Sequence, residues 1–338
     1  MTVTTNSKKS KLKKIGEEAM SIARKRHGRG FRYFDESGKP ISNKKLLKRL
    51  KSLIIPPMWS DVHICKWEDG HVQATGRDLK GRKQYIYHTE WERQRQEKKF
   101  HKMAEFGTAL PFIRKENLNR LKRKKWDYKK VVALVVTILD ETGIRIGNKQ
   151  YAKRNGTYGL STLRRKHMQL EKDILKFEYK GKSNKEREVE IDDPDLIKLI
   201  RSAAKLPGYE LFRYRSGAQE YEAIDSDDIN SYIRSVIGDQ YSSKDFRTWT
   251  ASRLALELYP DAIKIKEEAP RKKFANILLR MVADELGNTP SICKSHYVHP
   301  LIMRGIEDQE LPNANRYKDS RSAHGLSAAE KAVMKVIG

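Results

Sequence analysis

Cysteine is nearly absent: Cys65 and Cys293 are the two in 338 residues. So few, so far apart, build neither a disulfide framework nor a zinc-ligand spacing, and the expected setting is a reducing, intracellular one. No apolar run is long enough to span a bilayer and no signal-peptide core is visible, so a membrane partner is not expected. A phosphate-cradling Gly-x-x-x-x-Gly-Lys-Ser/Thr loop is missing, as is any compact Asp/Glu cluster in a metal-ligand arrangement. No cofactor is expected, and the cations that an anionic substrate needs must then come from side chains. There is no internal repeat. Acidic residues are outnumbered, 44 Asp and Glu against 70 Lys and Arg, which leaves a formal net charge of +26. Such an excess points to a polyanion, nucleic acid first and an anionic membrane surface second. The hydrophobic share, 38%, is modest but spread along the chain, enough for two globular domains with highly charged surfaces.

The first 14 residues, with Lys8, Lys9, Lys11, Lys13 and Lys14, read as a disordered basic arm. Residues 15–95 read as a small α+β domain. Leu46, Leu47, Leu50 and Leu53 predict a helix over 44–53, stopped by Pro56-Pro57. Short strands follow around Val62, Ile64 and Trp67, then Val72 and Ala74, then Tyr85 to Tyr87, with turns at Asp69-Gly70 and Gly81. Residues 96–338 read as a larger, mainly helical domain, reached through a charged helix over 91–105. Lys122 to Lys125, with Lys129-Lys130, is a solvated helix face or a phosphate contact. Val131 to Leu139 is too apolar for a surface helix and predicts the centre of a second core; it stops at Thr142-Gly143, just before Arg145. Alternation from Ile174 to Ile191 predicts a β-hairpin with Gly181, Lys182, Ser183 and Asn184 at its tip. Ser226 is placed to cap a helix ended by Gly238, and Asp245 to cap one over 246–258 with Arg247 in its first turn. Pro270 is placed to open a helix whose Phe274, Ile277, Leu278, Met281, Val282 and Leu286 face inward. The last 30 residues are polar and suggest no element.

Gly287 ends that last pattern, and Thr289-Pro290 supplies an N-cap and a first-turn proline for a short helix with Tyr297 near its C-terminal end. Tyr297 there is either an aromatic packing at a helix end or a phenolic nucleophile aimed at a phosphate. The second role has requirements. Charge gathers on the nonbridging oxygens as phosphorus becomes five-coordinate, and fixed cations aimed at them supply most of the catalysis. Arginine suits this, because its planar fork holds two oxygens and keeps its charge. The departing sugar oxygen needs a proton, which a lysine on a hairpin tip can deliver. Arg145, Lys182 and Arg247 are of the right kind. Each also fits an ordinary role: a loop arginine, a solvated hairpin lysine, and a salt-bridge partner of Glu257 or Asp245. Spacing alone does not bring them together.

Glu141-Thr142-Gly143-Ile144-Arg145-Ile146-Gly147-Asn148, followed by Asn155-Gly156-Thr157-Tyr158-Gly159-Leu160-Ser161-Thr162-Leu163, resembles the signature of type IB DNA topoisomerases. Lys180-Gly181-Lys182-Ser183, Asp245-Phe246-Arg247-Thr248-Trp249 and the stretch from Asn288 to Pro300 are similar to further motifs of that family, in its order. Ala74-Thr75-Gly76-Arg77-Asp78 and Gly81-Arg82-Lys83-Gln84-Tyr85 resemble the strand-rich domain of its small viral and bacterial branch. The similarity runs over roughly residues 28 to 306.

The resemblance implies an α+β protein: a monomeric two-domain clamp on double-stranded DNA, strand-rich at its N-terminus, its helical catalytic domain bearing a β-hairpin with the catalytic lysine. It implies relaxation of supercoiled DNA through a 3′-phosphotyrosyl intermediate, without ATP or an obligatory metal, by an intracellular, DNA-associated enzyme. Tyr297 matches the nucleophile, Arg145 and Arg247 the arginines on the scissile phosphate, and Lys182 the general acid. Arg82, Gln84 and Tyr85 match a DNA-contacting surface, and Arg95 and Lys244 join them as expected DNA contacts. One position departs: many members have histidine nine residues before the tyrosine, where this chain has Asn288. An asparagine amide still donates to a phosphate oxygen, without charge. His296 and His299 are expected to be structural or to touch the DNA backbone. Tyrosine recombinases share the chemistry, but their His-x-x-Arg motif would need histidine at Lys244. A non-enzymatic architectural DNA binder fits the charge, but gives no reason for Arg145, Lys182, Arg247 and Tyr297 to occur together.

Overall fold

The computed structural model describes residues 12–311 and 324–338, in two compact units: Lys99 ends the first and Phe100 opens the second. Lys8, Lys9 and Lys11 of the expected basic arm lie outside the described residues. Lys13 of that arm bridges to Gly70 and pairs with Asp69 at 3.0 Å.

In the first unit β1 (Ile22–His27), β2 (Gly30–Phe34), β3 (Ser60–Ile64), β4 (Val72–Arg77) and β5 (Lys83–Tyr87) form an antiparallel sheet in the order β2-β1-β3-β4-β5. Helix α1 (Lys44–Ser52) starts where Asn43 accepts from the Leu46 amide at 3.0 Å. It buries Leu50 in the cluster of Ile22, Val62, Ile64 and Ala74, a contact of about 2 kcal/mol for one leucine. The β1–β2 hairpin is absent from the sequence reading, because the inward residue at its centre is an arginine. Buried Arg24 donates to the carbonyls of Ile55, Pro56 and Trp59 at 2.8, 2.9 and 3.0 Å, which fixes the Pro56-Pro57 loop. Trp67 lies beyond β3 and not in a strand. There Arg49 of α1 takes the carbonyls of Cys65, Lys66 and Trp67 at 2.8–3.1 Å, so no neighbouring strand can.

Helix α2 (Thr89–Leu121) runs well past the expected end at Glu105. Phe100, Met103, Phe106, Leu110 and Ile113 recur along it at helical spacing and are buried. Helix α3 (Tyr128–Thr142) is buried on every side from Val131 to Val136, and the rest of the unit packs round it. After α4 (Lys149–Asn155), β6 (Met168–Glu171), β7 (Ile174–Lys180) and β8 (Glu186–Ile191) form a three-stranded sheet, the expected hairpin with one strand added. Then come α5 (Pro194–Ala203), a small ribbon of β9 (Arg213–Arg215) and β10 (Tyr221–Ala223), and α6 (Ser226–Ile237), α7 (Ser243–Glu257), α8 (Tyr259–Glu268), α9 (Phe274–Leu286), α10 (Pro290–His296), α11 (Pro300–Glu307) and α12 (Ala328–Ile337).

Three expected helix starts move. Asp225, not Ser226, caps α6, accepting from the amides of Asp227 and Asp228 at 2.8 and 3.1 Å. Ser242 precedes α7, and Asp245 is the third helical residue, reaching back to the Ser242 amide at 2.8 Å. Arg247 therefore sits in the second turn. Pro270 lies in the turn between α8 and α9, and α9 begins at Phe274.

The C-terminal residues, for which the sequence suggested nothing, carry a structural role in α12. Glu330 is 1% exposed and accepts from Arg114 of α2 at 2.6 and 2.8 Å, from Trp249 Nε1 of α7 at 2.9 Å and from the Ser327 amide at 2.8 Å. Arg114 also pairs with Asp140 of α3 at 2.7 Å, so one charge network ties four helices. Burial alone would raise the Glu330 carboxyl, but the hydrogen bonds and charge of Arg114 outweigh it and hold the group down at about 2. A depressed folded-state value stabilises above the unfolded carboxylate range, near 4.5, and that contribution fades as pH falls through about 2. Glu330→Gln is expected to cost about 3 kcal/mol in denaturant unfolding at neutral pH. Its stability should also change less than the parent's as pH falls from about 4.5 to about 2.

Candidate active site

A helix leaves its last carbonyls without intrahelical partners, and its C-terminus carries a partial negative charge. At the end of α9 those carbonyls are taken by arginines. Arg247 donates to Leu286 O, and Arg145 donates to Gly287 O at 3.3 Å and to Asn288 Oδ1. A third, Arg187 of β8, donates to Asp284 O and Glu285 O at 3.2 and 2.9 Å. Arg247 also donates to Gly143 O, at the left-handed cap of α3, at 2.5 Å.

The signature segments are adjacent in space for a backbone reason. Leu160 N donates to Arg145 O at 2.8 Å and Ser161 N to Ile146 O at 2.7 Å, so the 155–163 segment holds the Arg145 loop. Tyr158 N donates to Lys180 O at 2.7 Å, which fastens the same segment to the β7–β8 hairpin.

Helix α10 begins at its Thr289 cap, whose Oγ1 accepts from the Ile292 amide at 3.3 Å, and ends at Tyr297, as the sequence suggests. Buried Val298 and the His299 amide, which donates to Ser252 Oγ at 3.0 Å, anchor the chain directly after Tyr297. The half-buried Tyr297 ring lies 5.2 Å from the Arg247 guanidinium carbon. Arg247 is 5% exposed. Burial, then the neighbouring charge of Arg145, pulls its pKa down, and the Tyr297 phenol opposes the shift; the guanidinium stays charged at neutral pH. The Asn288 side chain also meets the buried Cys293 thiol, and Arg247 the Tyr297 phenol. The bond from Arg145 to Asn288 Oδ1 sets which way that amide faces.

Arg145, Arg247, Asn288 and Tyr297 thus share one place. Lys182 is exposed in the hairpin turn, and among the described residues no hydrogen bond or ion pair ties its amine to them. His299 is buried, caps α11 and stacks edge-on against Phe100. Burial lowers it to about 4, so it is neutral at physiological pH and brings no charge to the site. His296 is exposed. Arg187 escaped the sequence reading, because nothing distinguishes it within the charged run Lys185-Glu186-Arg187-Glu188.

In the first unit the expected DNA contacts fall on two faces of the edge strand β5. Arg82 and Gln84 turn to Asp78, donating at 2.8 and 2.9 Å. Tyr85 points the other way, stacked at 5.9 Å on Tyr87, with Lys83 5.7 Å from its ring and Arg95 6.0 Å from that of Tyr87. This row of cations and aromatics includes Lys83 and Tyr87, which the sequence reading passed over. Lys244 is exposed in the first turn of α7.

A phenol set over one guanidinium, with a second arginine at the same helix end, has the make-up of a centre for phosphoryl transfer to tyrosine. The model of the eukaryotic DNA topoisomerase I catalytic core matches residues 81–321, and that of the bacterial DNA topoisomerase IB N-terminal domain matches residues 30–78. The chain belongs to the type IB DNA topoisomerase family. It is similar to DNA topoisomerase 1B of Acanthamoeba polyphaga mimivirus, 27% identical over 284 residues that cover 82% of this chain and 84% of the relative. DNA topoisomerase 1B of vaccinia virus is 25% identical over 272 residues, 78% of this chain and 82% of its own. Among solved structures, the XerH site-specific recombinase bound to its difH substrate matches 56% of this chain and 49% of its own, at 16% identity and a TM-score of 0.34. That overlap is too slight to bear on function.

Proposed function

We propose that this enzyme relaxes supercoiled duplex DNA through a transient 3′-phosphotyrosyl link to Tyr297. The observation that carries the reading is the Tyr297 ring over Arg247, with Arg145 and Asn288 at the same helix end. As Tyr297 Oη bonds to phosphorus, the phenolic proton passes to solvent. The P–O5′ bond breaks, and its electron pair takes a proton from Lys182 Nζ, leaving a 5′-hydroxyl strand. Arg145 and Arg247 meet the charge on the nonbridging oxygens. With the Asn288 amide they present oriented donors for those oxygens. Exchanging a phosphodiester for a phosphotyrosine keeps the bond's energy, so religation needs no ATP, and torsional strain turns the free strand about its partner. The chain acts as a monomeric clamp on intracellular DNA, with the Lys83, Tyr85, Tyr87 and Arg95 row on the duplex; the net charge of +26 supports that partner.

The test is relaxation of a supercoiled plasmid in EDTA without nucleotide. The parent should relax it, and absence of relaxation despite DNA binding would contradict the reading. Asn288→Ala should slow single-turnover cleavage about 10- to 100-fold, the worth of one hydrogen bond to a charged oxygen, with affinity unchanged in a gel-shift titration. Cleavage at the parental rate would leave Asn288 as a helix-end residue only.

A further inference from the structure

We infer that Arg187 is a positioning residue that sets the hairpin lysine, Lys182, against the arginine cluster; this rests on the proposed role of Lys182 as proton donor. Arg187 lies on β8 opposite Tyr179 of β7, and its guanidinium donates to that residue's phenol oxygen. Its side chain then crosses two glycines. A Cβ on Gly181 would come within 2.8 Å of Arg187 Cγ, and one on Gly287 within 2.1 Å of its Cζ. Gly181 directly precedes Lys182, and Gly287 directly precedes Asn288. One side chain therefore spans from the residue before the hairpin lysine to the residue before the site asparagine, over ground where any side chain would obstruct it. At its far end the guanidinium donates to Asp284 O and Glu285 O, while Arg247 and Arg145 take Leu286 O and Gly287 O. Four consecutive carbonyls at the end of α9 are thus shared among three arginines, and the negative end of the helix offsets their mutual repulsion. The flat fork suits two carbonyls at once; a lysine ammonium is a point donor on a flexible stem and cannot reproduce that grip. Cut this strut, and the hairpin loses its side-chain tie to the helix that seats Arg145 and Arg247, while Tyr297 keeps its own anchors at Val298 and His299.

The experiment compares the full chain with its Arg187→Ala, Arg187→Lys and Lys182→Ala variants in single-turnover cleavage of a duplex. One substrate has the ordinary bridging 5′ oxygen and the other sulfur in its place. With sulfur the P–S bond breaks and the thiolate departs without a proton, so the need for a general acid disappears. On the oxygen substrate Arg187→Ala should cleave about 100-fold slower, the cost of a misplaced catalytic group, and Arg187→Lys about 10-fold slower. On the sulfur substrate both should return to within about threefold of the parent, as should Lys182→Ala. Rescue of Lys182→Ala without rescue of the Arg187 variants overturns the positioning role and places Arg187 in some other step. Failure of sulfur to rescue Lys182→Ala overturns the proton-donor reading, and this inference with it. Parental cleavage of the oxygen substrate by Arg187→Ala also overturns it. Should Arg187→Ala not fold, Arg187→Lys, which keeps the charge and most of the stem, answers the same question.

Discussion

Tyr297→Phe should lose DNA relaxation by at least about four orders of magnitude, while binding duplex DNA as the parent does. Phenylalanine keeps the ring 5.2 Å from the Arg247 cation, and Val298 and His299 still anchor the chain behind it. The atom removed is the one that bonds to phosphorus. Plasmid relaxation and a gel-shift titration on the same preparations separate chemistry from binding. Relaxation by the variant within about tenfold of the parent would mean that another group attacks.

Arg247→Ala should lose about 1,000-fold in the cleavage rate, the scale of removing an oriented donor from the charge that develops at phosphorus. It should also cost stability, and here the two consequences are tied. Arg247 is 5% exposed, and its amines hold Gly143 O at the end of α3 and Leu286 O at the end of α9. Each carbonyl left buried and unpaired costs roughly 1–3 kcal/mol, which denaturant unfolding will register. Arg247→Lys keeps a charge but not the bridge between two helix ends, so it should recover less than a tenth of the lost rate, on the order of tenfold at most. Single-turnover cleavage at saturating protein checks both variants, and a rate within about threefold of the parent in either would remove Arg247 from the chemistry.

Much of the fold was legible because periodicity reports burial. The leucines of α1, the apolar run of α3, the alternation of β7 and β8 and the Thr289-Pro290 start of α10 all read through directly. The failures have physical causes. Asp225 with Ser226, and Ser242 with Asp245, are pairs of residues that both suit an N-cap, and composition does not choose between them. Arg24 is a buried charge in the middle of β1, so that strand lacks an alternating apolar signature, and Glu330 is a buried charge in the first turn of α12, where a carboxylate reads as a solvated helix start. The site was less legible than the fold. Arg145, Arg247 and Asn288 are far apart in sequence, and only resemblance suggested their company. What assembles them is a feature that no residue pattern displays: the last carbonyls of α9 and its Gly287 cap, shared out among Arg145, Arg187 and Arg247. The amide and hairpin hydrogen bonds of the 155–163 segment, which lock Arg145 beside them, are backbone contacts and equally silent in sequence. The expected DNA contacts do not share one face, since strand alternation puts Tyr85 opposite Arg82 and Gln84, and Asp78 claims the latter pair.

The most direct measurement is to stop the parent on duplex DNA with denaturant, digest the trapped complex, and map both the modified peptide and the DNA ends. A nucleotide joined to Tyr297 through a 3′-phosphate, with a 5′-hydroxyl on the released strand, is the predicted result. A link through a 5′-phosphate, a link to any other residue, or a nicked strand with no protein attached would contradict it.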